Sequence, residues 1–260
     1  NKKFKMPIKV GVVGYGTIGK RVADAVAAQK DMKLVGVTAH TYSFNTEVAK
    51  QKGYKIFSID GDSELRENGM KPDGTIKNLL EEVDVIVDAT PKEIGRENIG
   101  KYYRPKKVKA IVQGGEKHAI TGTSFVAQCN YNEALNKDYV RIVSCNTTGL
   151  CRTLDAVNKK YGIESVHATM IRRGADPWDI HHGPINAIVP VLEMPSHHGP
   201  DVRTVLHGIE IFTTALSVPS TLMHLHTVTV DIKKKAKVDE VIEMFKNSTR
   251  IRIVRNAEHL

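Results

Sequence analysis

The chain has 260 residues, 41% hydrophobic and 26% charged, with a formal charge of +9, a composition that suits a globular protein of one or two domains. No run approaches the roughly 18 apolar residues of a membrane span, and residues 1–7 lack the apolar centre of a signal peptide, so a cytoplasmic protein is expected. Cys129, Cys145 and Cys151 cannot all pair and form no C-x-x-C, which argues against a disulfide scaffold, and the spread of positive charge favours small anions over nucleic acid as partners.

The first predicted strand, Ile8–Val13, runs into Gly14-x-Gly16-x-x-Gly19 at the opening of a helix. In that setting the first glycine permits a tight turn, the second lets backbone approach a pyrophosphate, and the third lets helix and strand pack closely. A second strand, residues 34–37, leads to Thr38, Ala39 and His40, where an NAD-binding chain would carry a carboxylate. Without that acid, Thr38 and His40 either donate to a 2′-phosphate or merely begin a loop; NADP is expected ahead of NAD, with dual use open. Strands at 83–89, 108–113 and 139–145 complete a β-α-β series. Their Val and Ile content fits a doubly wound parallel sheet covered on both faces.

Cys145 closes the last of these strands and precedes a helix predicted over 146–161. Helix-start amides favour a thiolate, so position makes Cys145 the candidate nucleophile. Thr147 and Thr148 bring hydroxyls to the same turn, for an oxyanion or for capping. Cys151, further along the helix, is expected to pack, and Cys129 has no reactive setting.

Beyond the helix, a strand at 166–171, a Pro/Gly/His-rich stretch at 174–200, an alternating strand at 223–232, a helix at 238–245 and a short strand at 251–254 predict a mixed or antiparallel α+β unit. The expected division is therefore 1–144 and 145–260. His224 and His226, two apart, share a strand face, and one of them could serve as base. His181, His182, His197 and His198 do not follow zinc-ligand spacings, and no metal is expected. Arg172 and Arg173 could clamp an anion or form a surface turn.

The segments VGYGTIGKRVADAV, VDATP, KAIVQGGEK, VSCNTTGLCRTL, RRGADP, GPINAIVP, PSHHGPDV and STLMHLHTV, in this order, resemble the archaeal, NAD(P)-using type of glyceraldehyde-3-phosphate dehydrogenase. The resemblance implies phosphorylating oxidation of glyceraldehyde 3-phosphate to 1,3-bisphosphoglycerate, with Cys145 as nucleophile and His224 as base. It implies cofactor contacts at Gly14, Gly16, Thr17, Ile18, Gly19, Thr38, Thr90, Gly114, Gly115 and Arg173. Ser144, Asn146, Thr148, Arg172, His197 and His198 would meet substrate or inorganic phosphate. A homotetramer is implied too. The family commonly has Lys where this chain has Ala39, and it continues beyond the point that Leu260 matches. A semialdehyde or acyl-phosphate reductase is one alternative, opposed by SCNTTGL followed by PSHHGPDV. A non-catalytic nucleotide- or RNA-binding relative is another, opposed by the lack of stacking aromatics.

Overall fold

Alternate residues of the first strand, β1 (Ile8–Val13), go to opposite faces. Val12 joins a core with Ala23, Val37, Ala49 and Leu65, whereas Val13 joins one with Phe57, Leu79, Ile86 and Tyr103. A strand apolar on both faces is one that helices cover on both sides. The computed structural model describes residues 6–59, 61, 63–175 and 183–255.

Two compact units result: residues up to Thr123 with Ala134–Ile142, and Ser124–Glu133 with the chain from Val143 onward. The second unit thus draws in an earlier segment that a single cut at residue 144 leaves out.

The first unit contains β1, β2 (Met32–Ala39), β3 (Ile56–Ser58), β4 (Gly74–Thr75), β5 (Val85–Asp88), β6 (Lys109–Val112) and β8 (Tyr139–Ile142). These seven strands lie in the order β4-β3-β2-β1-β5-β6-β8, and every neighbouring pair is parallel. From β1 the chain builds first to one side through β2 and later to the other through β5. The carboxyl ends of these strands open at that switch of direction, where open α/β sheets take their ligands.

The second unit carries β7 (Ser124–Phe125), the 17-residue helix Cys145–Tyr161, β9 (Ile163–Arg173), β10 (Val189–Pro190), β11 (Ile211–Val218), β12 (Leu225–Ile232) and the helix Val238–Lys246. Its sheet runs β10-β11-β9-β12, with β11 parallel to β9 and the other two pairs antiparallel, a mixed sheet as expected. The long helix buries Thr147, Leu150, Cys151, Leu154, Val157 and Tyr161, one face at helical period. That face meets Val166, Ala168 and Met170 of β9 and Val202, Val205 and Leu206. The strand expected at 251–254 does not form; alternating Ile and Arg there supply the pattern, but among the described residues no strand pairs with it.

Candidate active site

The glycine loop is held from behind. Gly14 turns with φ of 86°, outside the range side chains favour, and donates its N–H to Thr38 Oγ1 at 3.0 Å. Thr38 is buried behind the loop, and its hydroxyl, bonded to the Gly14 amide, shapes it. Gly16 caps the helix Thr17–Ala27 without a side-chain cap, so the helix start faces the loop with its backbone amides. At Gly19 a Cβ would fall 1.8 Å from the Gly14 carbonyl oxygen, which excludes any side chain.

A cavity of about 640 Å³ lies over this loop, lined by Gly14, Gly16, Thr17, Ile18, Thr38, Ala39, His40, Thr90 and Gly114 among others. Among the described residues no carboxylate lines it. Gly114 closes against Thr90, whose carbonyl oxygen would stand 2.0 Å from an added Cβ, while Gly115 beside it lies outside the lining. Buried Asp88 holds Thr90 in place, accepting from the Thr90 amide at 2.9 Å, Asn98 Nδ2 at 2.9 Å and the Tyr103 hydroxyl at 2.6 Å. Burial and the Asp88 charge push the Tyr103 hydroxyl well above its usual range, keeping it a donor. A glycine cradle at a helix start, of this size, fits a dinucleotide.

Cys145 is the first residue of its helix and is exposed. Its Sγ lies 3.4 Å from His224 Nε2 and 4.0 Å from Asn146 Nδ2. Ser144 is the N-cap, accepting from the Thr147 amide at 3.2 Å and sharing a 3.0 Å bond with the Thr147 hydroxyl. Ser144 and buried Thr147 therefore serve the helix turn. Thr148 stays half-buried in the same turn. Cys151 is fully buried, and burial raises its thiol; Cys129 is half-buried and pushed up to about 12. Of the three thiols only Cys145 stands in the open.

His224 arrives just before β12, presented by Met223, whose left-handed φ of 63° is strained for a side chain. The Arg173 amide donates to His224 Nδ1 at 3.2 Å. A nitrogen that accepts an N–H has none of its own, so the neutral ring carries its proton on Nε2, facing the sulfur. The Arg173 guanidinium donates to the Thr221 carbonyl at 3.3 Å. Both bonds tie Arg173 to the turn that carries His224.

Arg172 donates to Ser217 Oγ at 3.4 Å, and its buried Nε has no partner among the described residues. His197 and His198 stack with centroids 4.0 Å apart. They start the short helix His198–Arg203, where His197 is exposed and His198 buried. His198 Nδ1 meets Ser196 Oγ at 3.1 Å, and that hydroxyl donates to Thr213 at 2.9 Å, so it accepts from His198. Burial, then His197 and Arg172, pull the His198 pKa down to about 3. His198 is thus a neutral packing residue, and only His197 of the expected pair faces outward. His181 and His182 lie outside the described residues, and among the described residues no group of three metal-binding side chains occurs.

The residue whose part was not legible is His226. Its Nε2 lies 2.8 Å from Asn146 Oδ1. Its spacing from His224 marked a shared face, but nothing in the sequence linked it to Asn146, 80 positions away.

Residues 144–258 match the family described as glyceraldehyde 3-phosphate dehydrogenase, C-terminal domain, and residues 8–145 match dihydrodipicolinate reductase, N-terminus. Proteins named glyceraldehyde-3-phosphate dehydrogenase are similar along nearly the whole chain. One from Thermococcus onnurineus is 54% identical over 248 residues, 95% of this chain and 73% of that protein. One from Methanothermobacter thermautotrophicus is 51% identical over 256 residues, 97% and 76% of the two chains. One from Methanococcoides burtonii is 47% identical over 249 residues, 95% and 74%. Among solved structures, aspartate semialdehyde dehydrogenase II from Vibrio cholerae shares the fold, with a TM-score of 0.72 at 12% identity over 97% of this chain and 82% of that one.

Proposed function

The chain belongs to the glyceraldehyde-3-phosphate dehydrogenase family, and on that premise we propose that it oxidises glyceraldehyde 3-phosphate to 1,3-bisphosphoglycerate with Cys145 as nucleophile. The observation that carries the assignment is an exposed sulfur on the first residue of a helix, 3.4 Å from an imidazole nitrogen.

When bound, NAD or NADP supplies the hydride acceptor. Gly14, Gly16, Thr17, Ile18, Thr90 and Gly114 would hold it, with Gly19 keeping the helix close. NADP is favoured because no carboxylate stands at the end of β2 to repel a 2′-phosphate.

The Cys145 thiolate attacks the aldehyde carbon; the S–C bond forms and the carbonyl pair moves to oxygen. The amides of Cys145 and Asn146, which have no acceptor within the helix, and His224 Nε2–H stabilise that alkoxide. As the alkoxide re-forms C=O, hydride leaves and a thioester remains on Cys145. A phosphate oxygen then attacks the thioester carbon, the C–S bond breaks, and the thiolate leaves as acyl phosphate is released. Sequence reasoning cast His224 as base. The Arg173 amide on Nδ1 supports a second reading, in which His224 donates to sulfur and alkoxide and no proton has to move in the hydride step. Arg172, through its unpartnered Nε, together with His197 and Thr148, is the set we assign to the phosphate groups.

The family resemblance also supports a cytoplasmic homotetramer, which light scattering checks. No described helix is long and apolar enough to cross a membrane. The test of the reaction is phosphate-dependent reduction of NADP or NAD by glyceraldehyde 3-phosphate, beside Cys145→Ser. Turnover in the wild type that disappears in the variant is expected; turnover retained without the thiol overturns the assignment.

A further inference from the structure

An Asn side chain has two ends of nearly the same shape and opposite polarity, so shape alone does not decide which one meets a neighbour. Asn146 is buried beside Cys145, with Nδ2 4.0 Å from Sγ and Oδ1 2.8 Å from His226 Nε2. An amide oxygen only accepts, so His226 donates, and its ring holds the proton on Nε2. That bond decides the polarity of the amide. Its oxygen is turned away from the sulfur and its NH₂ towards it; the reverse arrangement would set oxygen lone pairs against a thiolate.

We propose that His226 is a positioning residue for the reaction at Cys145: it locks the Asn146 amide with the NH₂ directed at the sulfur and at the oxyanion that forms beside it. The inference deepens the assignment of Cys145 as nucleophile and rests on it.

The ring is itself held. His226 is the second residue of β12 and pairs in register with Met170 of β9, which fixes its backbone in the sheet. Its edge lies over Gly149, one turn along the helix from Asn146, where a Cβ would be only 3.6 Å from Cε1. The ring therefore reaches across a bare stretch of helix to Asn146. Burial lowers the proton affinity of His226, so the ring stays neutral near pH 7, and its donating nitrogen is set by the Asn146 oxygen rather than by charge.

The chain His226–Asn146–Cys145 runs beside the direct His224–Cys145 contact, so the sulfur has two separately anchored donors. One hangs from the backbone amide of β9 through His224, the other from β12 through His226.

The experiment compares wild type with His226→Leu, His226→Gln, Asn146→Ala and the His226→Leu/Asn146→Ala double variant. Two readouts apply: the iodoacetamide rate at Cys145, followed by mass on its peptide at pH 7 and pH 9.5, and kcat with KM. A circular-dichroism spectrum and a thermal unfolding transition like those of wild type show that each variant is folded. His226→Leu and Asn146→Ala should each slow alkylation at pH 7 and lower kcat by about tenfold, with cofactor KM unchanged and the alkylation deficit narrowing at pH 9.5. The double variant should lose no more than either single one, and His226→Gln, whose amide donates from a similar position, should recover most of the loss. Losses that multiply in the double variant, or a His226→Leu protein that alkylates and turns over like wild type, overturn the proposal. If Cys145→Ser retains turnover, it is the nucleophile assignment that fails, while the alkylation coupling of His226 to Asn146 is read separately.

Discussion

Cys145 and His224 stand 79 residues apart in the chain and 3.4 Å apart between Sγ and Nε2. The helix start supplies one and the turn before β12 the other. With the Arg173 amide on His224 Nδ1, we read this pair as a donor facing a sulfur. That polarity distinguishes substitutions that a general-base role would not. His224→Gln, which can still donate, should retain at least about tenfold more kcat than His224→Ala, whereas loss of a base costs about 10²–10⁴-fold whichever residue replaces it. Equal kcat in the two variants would return His224 to the role of base.

Thr38 should matter through the loop it holds. Thr38→Val keeps the shape and leaves the half-buried Gly14 N–H without its acceptor, a cost of about 1 kcal/mol. Denaturant unfolding should show that loss, and cofactor KM should rise as the loop relaxes. A variant as stable as wild type would place the Gly14 amide elsewhere.

Close approach at Gly114 gives a sharper outcome. An added methyl would lie 2.0 Å from the Thr90 carbonyl oxygen, so Gly114→Ala must displace one wall of the nucleotide cavity. Titration with NADPH should show affinity down by more than about tenfold, an overpacking cost of 1–3 kcal/mol, while iodoacetamide labelling of Cys145 stays at the wild-type rate. Unchanged affinity would show that Gly114 does not bound the cofactor.

Cofactor choice is testable at the end of β2. Ala39 lines the cavity where a carboxylate would contact ribose hydroxyls. Ala39→Asp should move the kcat/KM ratio at least about tenfold towards NAD, because like charges in a site cost several kcal/mol. An unchanged ratio would place the 2′-phosphate away from β2.

His198 predicts a pH dependence of stability. Its pKa is about 3 in the folded chain, against an ordinary 6.5, so between those values the unfolded chain binds a proton that the folded chain refuses. The stability this group contributes is complete above pH 6.5 and is lost as pH falls towards 3, at about 1.4 kcal/mol per pH unit. His198→Gln should therefore lose unfolding free energy less steeply than wild type between pH 6.5 and 4. Parallel curves would mean that His198 is protonated in the fold.

Much of this was readable from short, local signals. VGYGTIG announced its loop because the three glycines answer to local backbone geometry, and SCNTTG announced the helix start because strand, cap and helix follow one another directly. What escaped depends on distant contacts. Thr38 looks like a loop hydroxyl until Gly14 is seen against it, and Asn146 looks like one more polar residue until β12 brings His226 beside it. β11 was missed because IFTTALSV mixes small, polar and apolar residues without clean alternation, and its burial comes from β9 and the helices beneath. The His197–His198 pair was read as two equal donors, since a sequence does not show which of two neighbours faces inward.

Every group found bonded to Cys145 belongs to the second unit, and every residue lining the nucleotide cavity belongs to the first. The covalent capture of an aldehyde and the grip on the electron carrier are thus encoded in separately packed stretches of chain. Selection can act on one with little effect on the other: carrier preference can drift through β2 and its loop while the acyl-forming machinery keeps its geometry. A lineage built this way can change the redox pool it draws upon without reinventing its reaction.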